Sequence, residues 1–491
     1  MATETSVLAG LEPSSFWAHF EELTRTPRPS HREEAAIELV RVWAGERGLE
    51  VEQDAGRNLV VRVPATAGRE NAPTLVLQGH LDMVCERDPE SPNDPAEGRI
   101  VLRRDGEWLT ADGTTLGADD GVAIAAMMAL AEDESLPHGP LELLMTVAEE
   151  VGLAGANALD GSLVSGSTLI NLDSEEDGVL TVGCAGSTDT WIRIDAPRAA
   201  PDEGAVHLAV TVSGGQGGHS GTDIELGRSN AVKVLGRALR GAAASVPFRI
   251  VSLAGGKSRN AIPRDAAAVV SVDSGQQAEL TAALEHVAAT IRDAFAKTDP
   301  GLSITVGPAE AASDPWTEEA TGRMLDVLAL VPTGPLALSP DFEGLVETST
   351  SLGEAITEGD QLILHSLSRS SNDSAMPDVL ATLDAAAELG GGSLEIRHNY
   401  NGWRPDLESA VLAAARCVYE QQFGTAPVVT AVHAGLETSV IGSKVDRTLD
   451  MLAIGPQIEF PHSPDERVSI PTVERFWKLL VAVVDEYSKA T

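Results

Sequence analysis

Three short apolar runs in the first half of the chain stop at a histidine or a carboxylate, and any fold that uses them must place those stops somewhere useful. Thr74–Gln78 runs into Gly79-His80-Leu81-Asp82, Leu141–Val147 into Glu149-Glu150, and Thr168–Asn171 into Leu172-Asp173. Runs of this length bounded by turn residues read as buried strands. A fourth run, Asn58–Val63, has the same character. Between them lies a helical pattern over Gly121–Glu132, so strands and helices alternate as in an α/β sheet layered with helices. In such sheets the ligand-binding residues gather just beyond the strand ends.

The N-terminal part predicts a helix over Pro13–Thr24. A second follows over His31–Arg47, with Ser30 and Glu33 spaced as a capping box. The polar stretch Asp88–Gly98 reads as a surface excursion. After Gly183 the texture changes to a strand at Ala205–Ser213, a helix at Asn230–Ala242, a strand at Phe248–Leu253 and a helix at Gln277–Ala296. A similar cycle recurs from Asp314 to Ile396, which predicts an inserted α+β domain of two β-α-β units over residues 186–399. From Tyr400 the first domain resumes with a helix at Pro405–Glu420, a strand at Pro427–Ala431 and a closing helix at Val473–Lys489. The expected first domain is therefore discontinuous, 1–185 plus 400–491.

Composition narrows the function classes. With 35 Lys+Arg against 74 Asp+Glu the formal net charge is −39, a field that repels nucleic acid. No run approaches the roughly 18 apolar residues of a membrane span, and no Lys or Arg precedes Arg25, so neither a membrane partner nor a basic leader is expected. Cys85, Cys184 and Cys417 lack metal-knuckle spacing and read as free thiols of a cytoplasmic protein. Aromatic residues are only 4% of the chain, so the core must be built from small aliphatic side chains.

Each cluster has an ordinary reading as well as a chemical one. If the strand stays extended through His80, residues two apart share a side, and Asp82 can reach the second ring nitrogen of His80, as a carboxylate does behind a metal-bound histidine. His80 at a strand end is also compatible with a simple satisfied histidine. Gly117-Ala118-Asp119-Asp120-Gly121 sits where a helix begins and would serve equally as an N-cap. Glu149-Glu150 can be a solvated corner and Asp173 a turn. As a series, however, they form one histidine with several carboxylates on one rim, and a two-metal hydrolytic site needs one more nitrogen ligand. Pro461-His462-Ser463-Pro464 supplies it, a whole inserted domain later in the chain.

Taken in order, His80-Leu81-Asp82, Gly117-Ala118-Asp119-Asp120-Gly121, Glu149-Glu150, Asp173, Gly218-His219-Ser220-Gly221, Asn260-Ala261-Ile262-Pro263 and His462-Ser463-Pro464 resemble the aminoacylase and carboxypeptidase-like di-zinc metallopeptidases. Arg369-Ser370-Ser371, Tyr400-Asn401-Gly402-Trp403 and His433-Ala434-Gly435-Leu436-Glu437 make the chain similar to the aminoacyl-histidine dipeptidase (peptidase D) branch of that group. Thr438 and Asn401 depart from the branch, where Cys and Pro are usual, and leave substrate preference open.

The resemblance implies two divalent ions, zinc first, with manganese or cobalt also accepted by mixed His and carboxylate ligands. His80 and Asp173 would be terminal ligands of one ion, Glu150 and His462 of the other, with Asp119 bridging and a cis bond between Asp119 and Asp120. Glu149 would be the general base acting on the water between the ions, and Asp82 the support of His80. His219 would stabilise the oxyanion, while Asn260 and Arg369 would hold the substrate, Arg369 by its C-terminal carboxylate. The inserted domain would then close as a lid. Glu437 is either a supporting carboxylate near the metals or a structural residue. The implied activity is hydrolysis of dipeptides, Xaa-His or broad in preference, by a cytoplasmic homodimer, and the rival is an N-acyl-amino-acid amidohydrolase using the same ions.

Overall fold

The computed structural model describes residues 7–489. The chain divides into two compact units, one of residues up to Gly183 with Trp403–Ala431 and from Leu436 onward, the other of Cys184–Gly402 with Val432–Gly435. Among the described residues no helix is long and apolar enough to cross a membrane.

In the first unit an eight-stranded sheet runs in the order Glu50–Gln53, Leu59–Val63, Leu141–Thr146, Leu75–His80, Thr168–Asn171, Asp450–Ala453, Val179–Cys184, Val428–Val432. The strand Leu75–His80 pairs parallel with Leu141–Thr146 on one side and with Thr168–Asn171 on the other. All three are buried along their whole length, which is why their sequences are continuous apolar runs rather than alternating ones. Parallel pairing also puts their carboxyl ends on the same edge. The helix Ala118–Glu132, rich in Ala and Met and buried nearly all round, packs on Leu75–His80 and on the helix Ser14–Thr24. Ala is the cheapest residue to place in a helix that must lie close to a sheet.

Two helices begin later than their sequence pattern predicts. The second starts at Glu34, not His31, because Ser30 does not cap it. Its hydroxyl donates instead to Asp82 Oδ2 at 2.8 Å, and His31 takes a left-handed backbone (φ 66°). The helix expected from Pro405 begins at Ala410, where Ser409 Oγ accepts from the Leu412 N–H at 3.1 Å as a true N-cap. A small sheet, Ile458–Glu459, Arg467–Ser469, Trp108–Ala111 and Leu102–Asp105, joins the excursion after Asp82 to the C-terminal region.

The second unit is α+β. Its antiparallel sheet runs Ser303–Pro308, Ala205–Ser213, Ala266–Asp273, Arg249–Gly255, Val346–Glu358, Gln361–Ser370, Gly186–Asp195, Gly392–Tyr400, with Gly334–Leu338 pairing the middle strand Val346–Glu358. The two predicted β-α-β units are split ones. The strands flanking the helix Ala231–Ala243 are separated by Ala266–Asp273, which is antiparallel to both. With the helix Gln277–Ala294 this makes one β-α-β-β-α-β repeat in spatial order 4-1-3-2. The second repeat opens with Gly186–Asp195, a strand the sequence reading missed. It then continues after the whole of the first repeat with the helix Glu318–Leu330, two hairpin strands, the helix Met376–Leu389 and Gly392–Tyr400. The helix Ala231–Ala243 buries Val232, Val234, Leu235, Ala238, Leu239 and Ala242 against this sheet, the spacing of one amphipathic face.

Candidate metal centre

The three parallel strands deliver His80, the Glu149-Glu150 pair and Asp173 to one edge of the first unit. Asp119 arrives from the start of the helix Ala118–Glu132, where the Asp119–Asp120 peptide is cis and both residues have non-helical dihedrals. His462 comes from a turn in which it holds φ 61°. These side chains gather into two groups whose ligand atoms all lie within 4.8 Å of one another, His80, Asp119 and Asp173 in one and Asp119, Glu150 and His462 in the other. A third group of the same kind joins His80 to Glu149 and Glu150.

Asp119 faces both histidines with different oxygens. Its Oδ1 lies 2.9 Å from His80 Nε2 and its Oδ2 3.1 Å from His462 Nε2. His80 Nε2 is 3.8 Å from Asp173 Oδ1, and His462 Nε2 is 2.9 Å from Glu150 Oε2. The second nitrogen of His80 points to Asp82, 3.1 Å from its main-chain carbonyl and 3.5 Å from its carboxylate. The nearer acceptor is thus the carbonyl. The Asp82 carboxylate accepts from the N–H groups of Glu149 (3.0 Å) and Glu150 (3.3 Å) as well as from Ser30, so it also fixes the turn that carries the glutamates.

So many carboxylates around two imidazoles leave the cluster short of positive charge. Burial works against charge on His80, yet Asp119, Asp173 and Asp82 raise its pKa well above the ordinary histidine value. Hydrogen bonds to Asp119 and Glu150 push His462 up to about 11. Burial, with repulsion from Glu437, Glu150 and Asp119, raises Glu149 well above the usual carboxylate range, and burial beside Asp120 does the same for Asp173. Glu150 Oε1 is buried without a hydrogen-bond partner. Cations answer each of these demands, and a set of imidazoles and carboxylates in two triads sharing one carboxylate fits a pair of divalent ions.

In the second unit His219 Nδ1 accepts from the N–H groups of Gly221 (3.3 Å) and Thr222 (3.1 Å). Its Nε2 lies 3.4 Å from Arg369 Nη2, a nitrogen that can only donate. Burial and the neighbouring Arg369 charge both lower the His219 pKa. Arg369 is buried, and its Nε has no hydrogen-bond partner. Asn260 immediately precedes the short strand Ala261–Ile262 that pairs with Gly218–His219, its carbonyl accepting from the Ser220 N–H at 2.7 Å, while its side chain accepts from Ser258 Oγ.

The model of peptidase family M20/M25/M40 matches residues 76–486, most of the chain. The chain belongs to that family. The curated relative named cytosol non-specific dipeptidase, from Escherichia coli K12, is 36% identical over 481 residues, 98% of this chain and 99% of its own. The crystal structure of aminoacylhistidine dipeptidase from Vibrio alginolyticus is 36% identical, superposes with a TM-score of 0.90 and is covered to 99% in both chains. Aminopeptidase PepT from Bacillus cereus, at 17% identity and a TM-score of 0.56, covers 97% of this chain and 99% of its own and shares the fold.

Gln78, Glu175 and Glu466 of this M20 peptidase went unread in the sequence because their partners are distant, and the same distant bonds account for Glu437, which the sequence left open between a supporting and a structural role. Glu437 is fully buried, with Oε2 accepting from Gln78 Nε2 and Thr146 Oγ1, each at 2.6 Å. Gln78 Oε1 accepts in turn from Asn171 Nδ2 at 2.8 Å, and Asn171 Oδ1 from the Asp173 N–H at 3.2 Å. That chain of bonds ties together the three strands whose ends carry His80, Glu149 and Asp173. Burial pushes Glu437 up to about 7. Glu175 is raised to about 8 by burial and then by Asp119. Glu466, four residues past His462, bonds the main chain that leads into Asp119. A Gln, Thr or Asn inside an apolar strand was the only local signal available, since such groups are buried only when hydrogen-bonded.

Proposed function

We propose that this chain is a metal-dependent dipeptidase of broad or Xaa-His preference. The observation that carries the reading is the pair of ligand triads sharing Asp119, in a chain 36% identical over nearly its whole length to a protein named a dipeptidase. His80, Asp119 and Asp173 would hold one divalent ion and Asp119, Glu150 and His462 the other, with zinc the first candidate and manganese or cobalt compatible. When bound, two such ions polarise the scissile carbonyl and make a water between them acidic near neutral pH.

Glu149 then has a defined task. Its carboxylate takes a proton from the attacking water and returns it to the leaving amine. The same burial that raises its pKa in the bare cluster favours the proton once it has arrived. Asp82 orients His80 and the glutamate turn together. His219 would stabilise the oxyanion; Asn260 would hold the substrate main chain, and Arg369 its C-terminal carboxylate. A charge that must sit at a fixed distance from the scissile bond selects dipeptides over longer chains. The proposal places the enzyme in the cytoplasm as a homodimer.

A panel of dipeptides, with tripeptide, N-acetylated and amidated controls, assayed on metal-stripped and on zinc- or manganese-reloaded protein, tests the reading. Hydrolysis of free dipeptides that disappears on stripping and returns on reloading is expected. Preference for N-acylated amino acids would replace it with an amidohydrolase, and full activity without metal would overturn it.

A further inference from the structure

We propose that Glu466 is a positioning residue that sets the bridging carboxylate Asp119 against His462 and so builds the second ion pocket. The inference rests on the two-ion reading above. Its carboxylate is 2% exposed and is spent on the main chain. Oε2 accepts from the N–H groups of Leu116 at 2.7 Å and Gly117 at 3.0 Å, and Oε1 from those of Ala118 at 2.7 Å and Asp119 at 3.3 Å. These amides belong to the irregular stretch before the regular helix, where Asp119 and Asp120 have non-helical dihedrals, and buried N–H groups outside a helix or ladder need an acceptor from elsewhere. One side chain therefore satisfies the entire approach to Asp119.

Glu466 is itself held firmly. Its carbonyl accepts from Thr110 Oγ1 at 2.8 Å, its N–H donates to Ser463 at 3.0 Å, and the next residues pair with Trp108–Ala111 as a strand. His462 lies four residues away on the same turn, in a left-handed conformation that a non-glycine residue adopts only when its surroundings hold it. Glu466 is thus the direct link between two segments far apart in sequence that must both reach one ion. His80 and Asp173 are fixed differently, at the ends of paired parallel strands, with the His80 N–H donating to Asp120 Oδ2 at 3.1 Å and the Asp173 N–H to Asn171. Loss of Glu466 should therefore fall mainly on the Asp119, Glu150 and His462 pocket.

The test is titration of metal-stripped protein with zinc or cobalt, followed calorimetrically and by the cobalt visible spectrum, for wild type, Glu466→Ala, Glu466→Gln and a matched core variant, Leu480→Ala. Wild type should bind two ions per chain. Glu466→Ala should keep one tight ion and bind the second roughly 10- to 100-fold more weakly, the usual effect of removing a group that orients a ligand. Glu466→Gln, which retains one oxygen for two of the four amides, should fall between, and Leu480→Ala should bind both ions normally despite lower stability. Two ions at wild-type affinity in both Glu466 variants, or equal weakening of both ions, would overturn the proposal. So would failure of both variants to fold as apo-proteins, since the role would then not be confined to one pocket. Fewer than two ions on wild type would instead defeat the two-ion reading.

Discussion

The two units carry their polar chemistry in opposite ways. In the first, His80, Glu149, Glu150 and Asp173 stand at or beyond the ends of parallel strands whose interiors are apolar apart from Gln78 and Glu142, both hydrogen-bonded where they lie. In the second, Arg369 lies one residue before the end of an antiparallel strand but still inside the ladder, its main chain paired with Ser349 on one side and Ser187 on the other. A residue at a strand end can be chosen for its chemistry, because the ladder is already complete behind it. A polar residue inside a sheet must be satisfied where it lies, and Arg369 Nε is not. The first arrangement suits groups that must hold a fixed geometry, the second a group kept ready for a ligand.

The sharpest way to break that contrast is at the strand ends. Removing the ions with a chelator should abolish hydrolysis entirely, and a divalent metal should restore it. Asp119→Ala, which removes the carboxylate common to both triads, should lose metal measured by elemental analysis. Glu149→Gln should keep near-normal metal content and lose turnover by roughly 10²- to 10⁴-fold, since the amide keeps the shape but accepts no proton. Near-normal turnover in this variant would transfer the base role elsewhere.

A smaller effect is expected from the sheet interior. Arg369→Met should raise KM for free dipeptides by roughly 10- to 150-fold, the equivalent of a charge-assisted bond of about 1.5 to 3 kcal/mol. It should matter little for a dipeptide already amidated at its C-terminus. Equal losses on both substrates would make Arg369 structural, and the explanation of dipeptide selectivity by a carboxylate grip would fail with it.

The same contrast decides what could be read from sequence. Strands such as Thr168–Asn171 and Ala205–Ser213 were legible to the residue, because burial on two faces or alternation on one leaves a direct pattern. Gly186–Asp195 was not, since its GSTDTWIRID run trades apolar residues for Ser and Thr that are satisfied only across the sheet. Ser30 looked like a helix cap and serves Asp82 instead, a partner 52 residues away. The candidate ligands were legible because each punctuates an element. Gln78 and Glu466 were not, and Glu437 stayed open between a supporting and a structural role, because each is explained only by bonds to distant segments. For Ser409 the cap signal was present, and the Pro405 and Asp406 turn before it was misread as helix.

The smallest predicted effect sharpens the picture of the second unit. His433 is buried there, with Nε2 2.7 Å from Ser349 Oγ. Burial, then the Arg369 charge, lower its pKa from 6.5 to about 3. A base whose folded pKa is depressed remains neutral in the native state while the unfolded chain takes up a proton. Its contribution to stability is therefore complete above pH 6.5 and is lost as the pH falls from there toward 3. The slope is at most about 1.4 kcal/mol per pH unit, one proton's worth. Urea unfolding of metal-stripped protein between pH 7.5 and 5, for wild type and His433→Gln, isolates this term, because the other titrating groups are common to both. The wild type should lose about 1.4 kcal/mol more than the variant by roughly pH 5.5. Parallel pH curves would mean that His433 protonates in place, and that the ring and the Arg369 charge are not confined together as the geometry requires.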